Sequence, residues 1–142
     1  SKAAAVLAAG NAIVIKAPHQ APLSALRAAE LFDGLLPAGV FNVLAGGRDV
    51  GAALAADPEV AMVAFVGGTP AGRSVLHAAA DTVKRTIMQL SGKNALIGMP
   101  DADPDKVAAG MIKGMNYSWG GQSMSSPTRV FLHDDIHDAV LE

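Results

Sequence analysis

The stretch of this sequence best suited to chemistry is Val63-Ala64-Phe65-Val66-Gly67-Gly68-Thr69-Pro70-Ala71-Gly72, an apolar run that breaks on paired glycines and resumes as a helix-like segment. Glycines let a backbone approach a ligand closely, and the free amides and dipole at a helix start attract phosphate. The run reads as a strand, a tight glycine turn, a capping Thr69 and a helix; Thr69 stands where the middle glycine of G-x-G-x-x-G belongs, so a phosphate cradle and an ordinary strand-to-helix turn both stay open. A second and weaker turn, Ala45-Gly46-Gly47-Arg48-Asp49-Val50-Gly51, admits the same two readings. Lys16 closes a short apolar run and either reaches a ribose or phosphate or is simply solvated. Equally informative is an absence. The 142 residues contain no cysteine, which removes disulfides, thiolate metal sites and any thiolate nucleophile.

Elements able to position these turns alternate along the chain. An Ala-rich helix over residues 1–9 stops at Gly10, where a left-handed residue is wanted. Short β-branched or apolar runs predict strands over 12–16, 40–44, 61–66, 86–90, 94–99 and 129–133. Helices are expected over about 23–36, opened by Pro22, with Ala25, Ala28, Ala29, Phe32 and Leu36 on one face and an end near Gly34 or Pro37, then over 51–56, and from the Gly67-Gly68 turn to about residue 80. Asp103-Pro104 reads as an N-cap followed by a first-position proline launching a helix over 105–115, and a last helix begins near Ile136. Strands alternating with helices of this length imply right-handed crossovers and a largely parallel sheet. The fold class is therefore α/β, and ligands on such sheets sit beyond the carboxyl ends of the strands.

Bulk composition bounds the function. Half of the residues are hydrophobic (51%) and 17% are charged, which fits a globular protein and not a disordered one. Aromatics supply only 4%, so Ala, Val, Leu, Ile and Met must fill the core. A formal charge of −2 gives no basic field to attract nucleic acid or anionic lipid. No apolar run approaches the roughly 20 residues of a membrane span. The Lys2-plus-apolar opening lacks a convincing signal-peptide cleavage site, so a cytoplasmic location is expected. A first residue of Ser1 and not Met suggests a processed, excised or incompletely represented chain.

Read together, several segments resemble the cofactor half of the NAD(P)-dependent aldehyde dehydrogenase superfamily. They are Leu7-Ala8-Ala9-Gly10-Asn11-Ala12-Ile13-Val14-Ile15-Lys16, then Pro22-Leu23, then Leu36-Pro37-Ala38-Gly39-Val40-Phe41-Asn42-Val43. The turn through Gly67 and Gly68 is similar to the family's F-x-G-S-T-x-x-G. Gln89-Leu90-Ser91-Gly92-Lys93 is similar to its E-L-G-G-K, and Gly121-Gln122-Ser123-Met124 to its G-Q-x-C. Asp101-Ala102-Asp103 falls between them at nearly the family's spacing, and the resemblance covers the whole chain in one order. It implies a Rossmann-like, largely parallel sheet with helices on both faces, followed by the beginning of a second α/β domain. Residues 1–92 would be part of the dinucleotide-binding domain and 93–142 the start of the catalytic domain.

By the same resemblance the cofactor is NAD or NADP. Lys16 would contact the adenosine ribose or its 2′-phosphate, with His19 where the family often has a ribose-binding Glu. Gly47 and Gly51 would lie by the adenine, and Gly67, Gly68 and Thr69 would face the pyrophosphate. Leu90 would sit near the nicotinamide. The family's chemistry is attack of a thiolate on an aldehyde, hydride transfer to the nicotinamide, and hydrolysis of the thioester with carboxylate help. This sequence departs at both reacting positions. Gln89 stands where the general base Glu belongs, and Met124 where the nucleophilic Cys belongs, and neither side chain can do that work. Gly68 also replaces a usual Ser. No realignment supplies a thiol. Family members are longer, and the Asn that helps form their oxyanion hole would lie upstream of Ser1.

Three functional readings follow. One is an aldehyde-oxidising subunit, part of a homo-oligomer, represented by a truncated or altered piece and inactive as written. The second is a module that binds dinucleotide without turnover, and the third is a structural pseudoenzyme. A longer reading frame with Cys at position 124 would favour the first, and cofactor binding without turnover the second. No metal, nucleic-acid or membrane partner is expected.

Overall fold

The computed structural model describes residues 2–142, and every strand pairing among them is parallel. The helix expected over 1–9 is α1, Lys2–Ala8, with Ser1 outside the described residues. Gly10 ends it in the left-handed region (φ 76°), and the amides of Gly10 and Asn11 return to the carbonyls of Leu7 and Val6. Three βαβ crossovers then follow in sequence. Strand β1 (Ile13–Lys16) crosses through α2 (Leu23–Phe32) to β2 (Phe41–Leu44), with Ile13 opposite Phe41 and Lys16 opposite Leu44. Helix α3 (Arg48–Ala56) leads to β3 (Met62–Val66), which crosses through α4 (Thr69–Ala80) to β4 (Arg85–Gln89), with Val66 opposite Gln89. Strand β5 (Ala95–Gly98) crosses through α5 (Pro104–Gly114) to β6 (Arg129–Leu132), and α6 (Asp134–Leu141) follows. The expected α/β class and parallel pairing are present, resolved as three two-stranded ladders and not as one continuous sheet.

The chain divides into two compact units, Ser1–Leu90 and Ser91–Glu142. In the first, the most deeply buried side chains are alanines: Ala17, Ala55 on α3 and Ala79 on α4, with α3 packed on α4. A core this poor in aromatics closes through small side chains and close helix approach. At the rim of this core the rings of Phe41 and the more exposed Phe32 pair with centroids 4.6 Å apart, which seats the end of α2 on β2. In the second unit Ile136 and Val140 of α6 are buried, and a Cβ on Gly98 would meet Leu132 at 2.9 Å and Ile136 at 3.0 Å. Glycine there lets α6 lie close on the ladder. Asp103 caps α5 as expected, its carboxylate accepting from the amides of Asp105 and Lys106.

Most element ends fall within one or two residues of expectation, and the larger departures have local causes. Helix α2 stops at Phe32, just before the nearer of its two expected ends, because Asp33 is extended and Gly34 turns left-handed (φ 73°). Helix α3 starts at Arg48, three residues early, with extended Gly47 as its cap and Asp49 in its first turn, where a carboxylate favours the helix dipole. A 3-10 turn, Tyr117–Trp119, stands between α5 and β6, framed by left-handed Asn116 and Gly120. Among the described residues no helix is long and apolar enough to cross a membrane.

Candidate functional site

Most of the sequence-selected residues gather at the carboxyl ends of the two ladders in the first unit, where loops leave strands for helices. At the end of β1, the Lys16 ammonium donates to the Gly46 carbonyl at 3.0 Å. A Cβ on Gly51 would touch the Lys16 stem, 3.4 Å from Cδ and 4.0 Å from Cε. Lys16, Gly46 and Gly51 are therefore brought together, with Gly47 capping α3 beside them. The lysine stem lies along α3 with its charge held at the mouth of the turn. His19 is exposed in the turn that follows β1.

At the ends of β3 and β4 the chain forms a second cluster. The Gly67 amide donates to the Gln89 carbonyl at 3.1 Å, continuing the β3–β4 ladder one residue beyond Val66. A Cβ on Gly67 would come within 2.7 Å of the Phe65 ring, so glycine is needed there for packing. Gly68 faces open space, its nearest would-be neighbour Pro70 Cδ at 3.8 Å. Thr69 does not cap α4, contrary to the sequence reading. It is the first helical residue, and Gly68, extended at φ −68° and ψ 150°, takes the cap position. A glycine cap offers no side-chain acceptor, so amides of the first turn of α4 remain for water or a ligand. An open glycine before a twelve-residue helix is a surface that an anionic group can approach without displacing a side chain.

Leu90 follows Gln89 and turns onto α4. A Cβ on Gly72 would lie 2.4 Å from Leu90 Cδ2, so the leucine is seated directly over that glycine. Gln89 itself is exposed at the end of β4.

Met124 belongs to the second unit. It is 73% exposed and sits in the loop between the 3-10 turn and β6, its carbonyl accepting from Asn94 Nδ2 at 2.7 Å. Asn94 was not singled out from sequence. No local signal points to it, because its side chain bonds carbonyls some thirty residues away. Among the described residues no three His, Cys, Asp or Glu side chains are placed to hold a metal ion.

Comparison with known proteins adds the following. The family model for the aldehyde dehydrogenase family matches residues 1–142. Aldehyde dehydrogenase tropH of Talaromyces stipitatus is 48% identical over 141 residues, which cover 99% of this chain and 27% of that protein. Among solved structures, an E. coli NADP-dependent enzyme superimposes with a TM-score of 0.91 at 35% identity, over 99% of this chain and 29% of its own. A 3,6-anhydro-L-galactose dehydrogenase, solved in complex with NAP, superimposes with a TM-score of 0.89 at 33% identity, over 99% of this chain and 30% of its own. The chain thus spans under a third of the length of each of these proteins.

Proposed function

The chain belongs to the aldehyde dehydrogenase family, and we propose that it is a part of that scaffold, shaped for NAD or NADP, that does not itself oxidise an aldehyde. What supports this reading is a sequence without any cysteine, with the thioether Met124 where the motif resemblance would put the family's nucleophile. A thioether sulfur has no hydrogen to lose and cannot form the tetrahedral adduct that precedes hydride transfer. Gln89, at the position of the base, can orient a water but cannot accept its proton.

The residues of the first unit suit the adenosine and pyrophosphate parts of a dinucleotide. The open glycine Gly68 before α4 gives a phosphate access to free amides, and Lys16 presents a charge beside the Gly46-Gly47 turn. His19 in place of a carboxylate removes the group that would pair with a ribose 2′-hydroxyl and repel a 2′-phosphate. When bound, the nicotinamide would supply the hydride acceptor. Around it, this chain contributes Gln89 and the Gly72-seated Leu90. Unit 1 is in this reading the dinucleotide-binding part and unit 2 the start of the catalytic part, with an aldehyde as the substrate class, a cytoplasmic location and a homo-oligomeric parent.

The test is calorimetric titration with NAD and NADP, run beside an aldehyde-dependent turnover assay. Weak saturable binding without turnover is expected. Turnover would overturn the reading, and a total lack of binding would move the assignment to a purely structural member of the family.

A further inference from the structure

The backbone carbonyl of residue 124 has a long-range partner. Asn94 Nδ2 donates to the Met124 carbonyl at 2.7 Å and to the Ser126 carbonyl at 3.2 Å, so one amide group holds two carbonyls of the loop. The backbone carbonyl of the same residue accepts from the amides of Thr128 (3.1 Å) and Arg129 (3.2 Å), which sets the start of β6 against β5. The loop has a second anchor in Ser126, which is 3% exposed and whose hydroxyl donates to the Met115 carbonyl at the end of α5. Arg129 adds a bond to the Lys93 carbonyl at 2.9 Å. The segment 124–129 is thus tied to residues 93 and 94 at one side and to α5 at the other. None of these bonds uses the side chain of residue 124.

We infer that the side-chain amide of Asn94 is the positioning residue for position 124, fixing where the backbone presents whatever side chain stands there. The division of labour within Asn94 makes this separable from folding. Its main-chain carbonyl serves the β5–β6 junction and survives any substitution, whereas its side-chain NH2 serves only the loop. Two bonds from one NH2 to consecutive-but-one carbonyls fix the direction of the peptide planes at 124 and 126, which a single bond would leave free to rotate. The inference deepens the reading of position 124 as the nucleophile position and rests on it for its functional meaning.

The experiment uses the six methionines as reporters, with their methyl groups labelled with carbon-13 and followed by NMR, together with hydrogen exchange at the amides of Ser125 and Ser126. Asn94→Ala removes the donors. Asn94→Asp keeps the shape but sets a carboxylate against two carbonyls. Asn94→Gln retains an NH2 on a longer arm. In the alanine and aspartate variants the Met124 methyl signal should move and sharpen, and the two amides should exchange about tenfold faster, as loss of hydrogen bonding of this strength implies. The Met99, Met111 and Met115 signals should stay in place, and the glutamine variant should recover part of the protection. An unmoved Met124 signal in both donor-free variants would overturn the inference. So would equal displacement of Met99, Met111 and Met115, since that is the signature of a general structural role. If the aspartate variant fails to fold, the alanine and glutamine pair decides alone. No cofactor or aldehyde is present, so failure here is distinct from failure of the functional reading.

Discussion

Two helical glycines should respond differently to the same added methyl group, only one of them with a gain in stability. Gly72 in α4 is buried, and its Cβ would stand 2.4 Å from Leu90 Cδ2, 2.9 Å from Cδ1 and 3.3 Å from Cγ. The whole branched end of Leu90 is in the way, so rotating one methyl aside does not clear it. Overpacking of this kind costs about 1–3 kcal/mol, against about 1 kcal/mol gained from alanine's better helix propensity, so Gly72→Ala should be neutral to about 2 kcal/mol destabilising. Gly110 in α5 has nothing within 4 Å of its would-be Cβ. Only the propensity term remains there, and Gly110→Ala should stabilise by about 1 kcal/mol. Leu90→Ala supplies the cross-check. With the leucine gone, Gly72→Ala should change sign and stabilise by about 1 kcal/mol. Urea unfolding followed by far-ultraviolet circular dichroism measures all five proteins. Equal stabilisation by Gly72→Ala and Gly110→Ala in the parent background would refute the reasoning, as would a Gly72 effect indifferent to Leu90.

Val83 is a β-branched residue held at φ 52° and 89% exposed; Val83→Gly should relieve the left-handed strain and raise stability by about 1 kcal/mol, read as a higher urea midpoint. Asp103 has its carboxyl held below the ordinary value of 3.8, chiefly by the hydrogen bond from the Lys106 side chain and then by the Lys106 amide. Its contribution is complete above the ordinary value and is lost as pH falls through the lowered one, so the melting-temperature gap between the parent and Asp103→Ala should close on acidification. A gap that widens toward low pH would contradict this. Dinucleotide binding should be weak and should lean toward NADP at low salt, with His19→Glu shifting the preference to NAD; tighter NAD binding by the parent, measured by calorimetry, would count against it.

Much of this architecture is legible in the sequence because short β-branched strands and glycine turns are local signals. Ile13-Val14-Ile15 and Val63-Ala64-Phe65-Val66 announce β1 and β3 with little help from the rest of the chain. Helix ends were less legible. The end of α2 depends on backbone angles at Asp33 and Gly34, and the start of α3 on Gly47 acting as a cap, choices that composition leaves open. Thr69 was misassigned for a related reason: glycine and threonine both serve as caps, and which one does is set by where the ladder ends. The seat of Leu90 on Gly72 and the bonds from Asn94 to residues 124 and 126 join positions far apart in the chain, and no periodicity encodes them. The proposed departures at Gln89 and Met124 rest on the sequence resemblance and on side-chain identity, since an amide takes no proton and a thioether forms no thiolate.

If, as proposed, this chain carries the scaffold of an aldehyde dehydrogenase without its chemistry, turnover shows it most directly. Losing a covalent nucleophile typically costs about 10⁶-fold, or roughly 8 kcal/mol of barrier. Losing a general base commonly costs about 10²–10⁴-fold. The two losses need not add, because the residues serve successive steps of one cycle. The measurement is near-ultraviolet absorbance of reduced cofactor, with NAD and with NADP, over short, long, aliphatic and aromatic aldehydes. The parent chain should give no aldehyde-dependent signal with any of them. Met124→Cys with Gln89→Glu should restore activity only where the remainder of a family site is also supplied. Steady aldehyde-dependent NADH or NADPH production by the unmodified protein, with host enzymes excluded, would contradict the account.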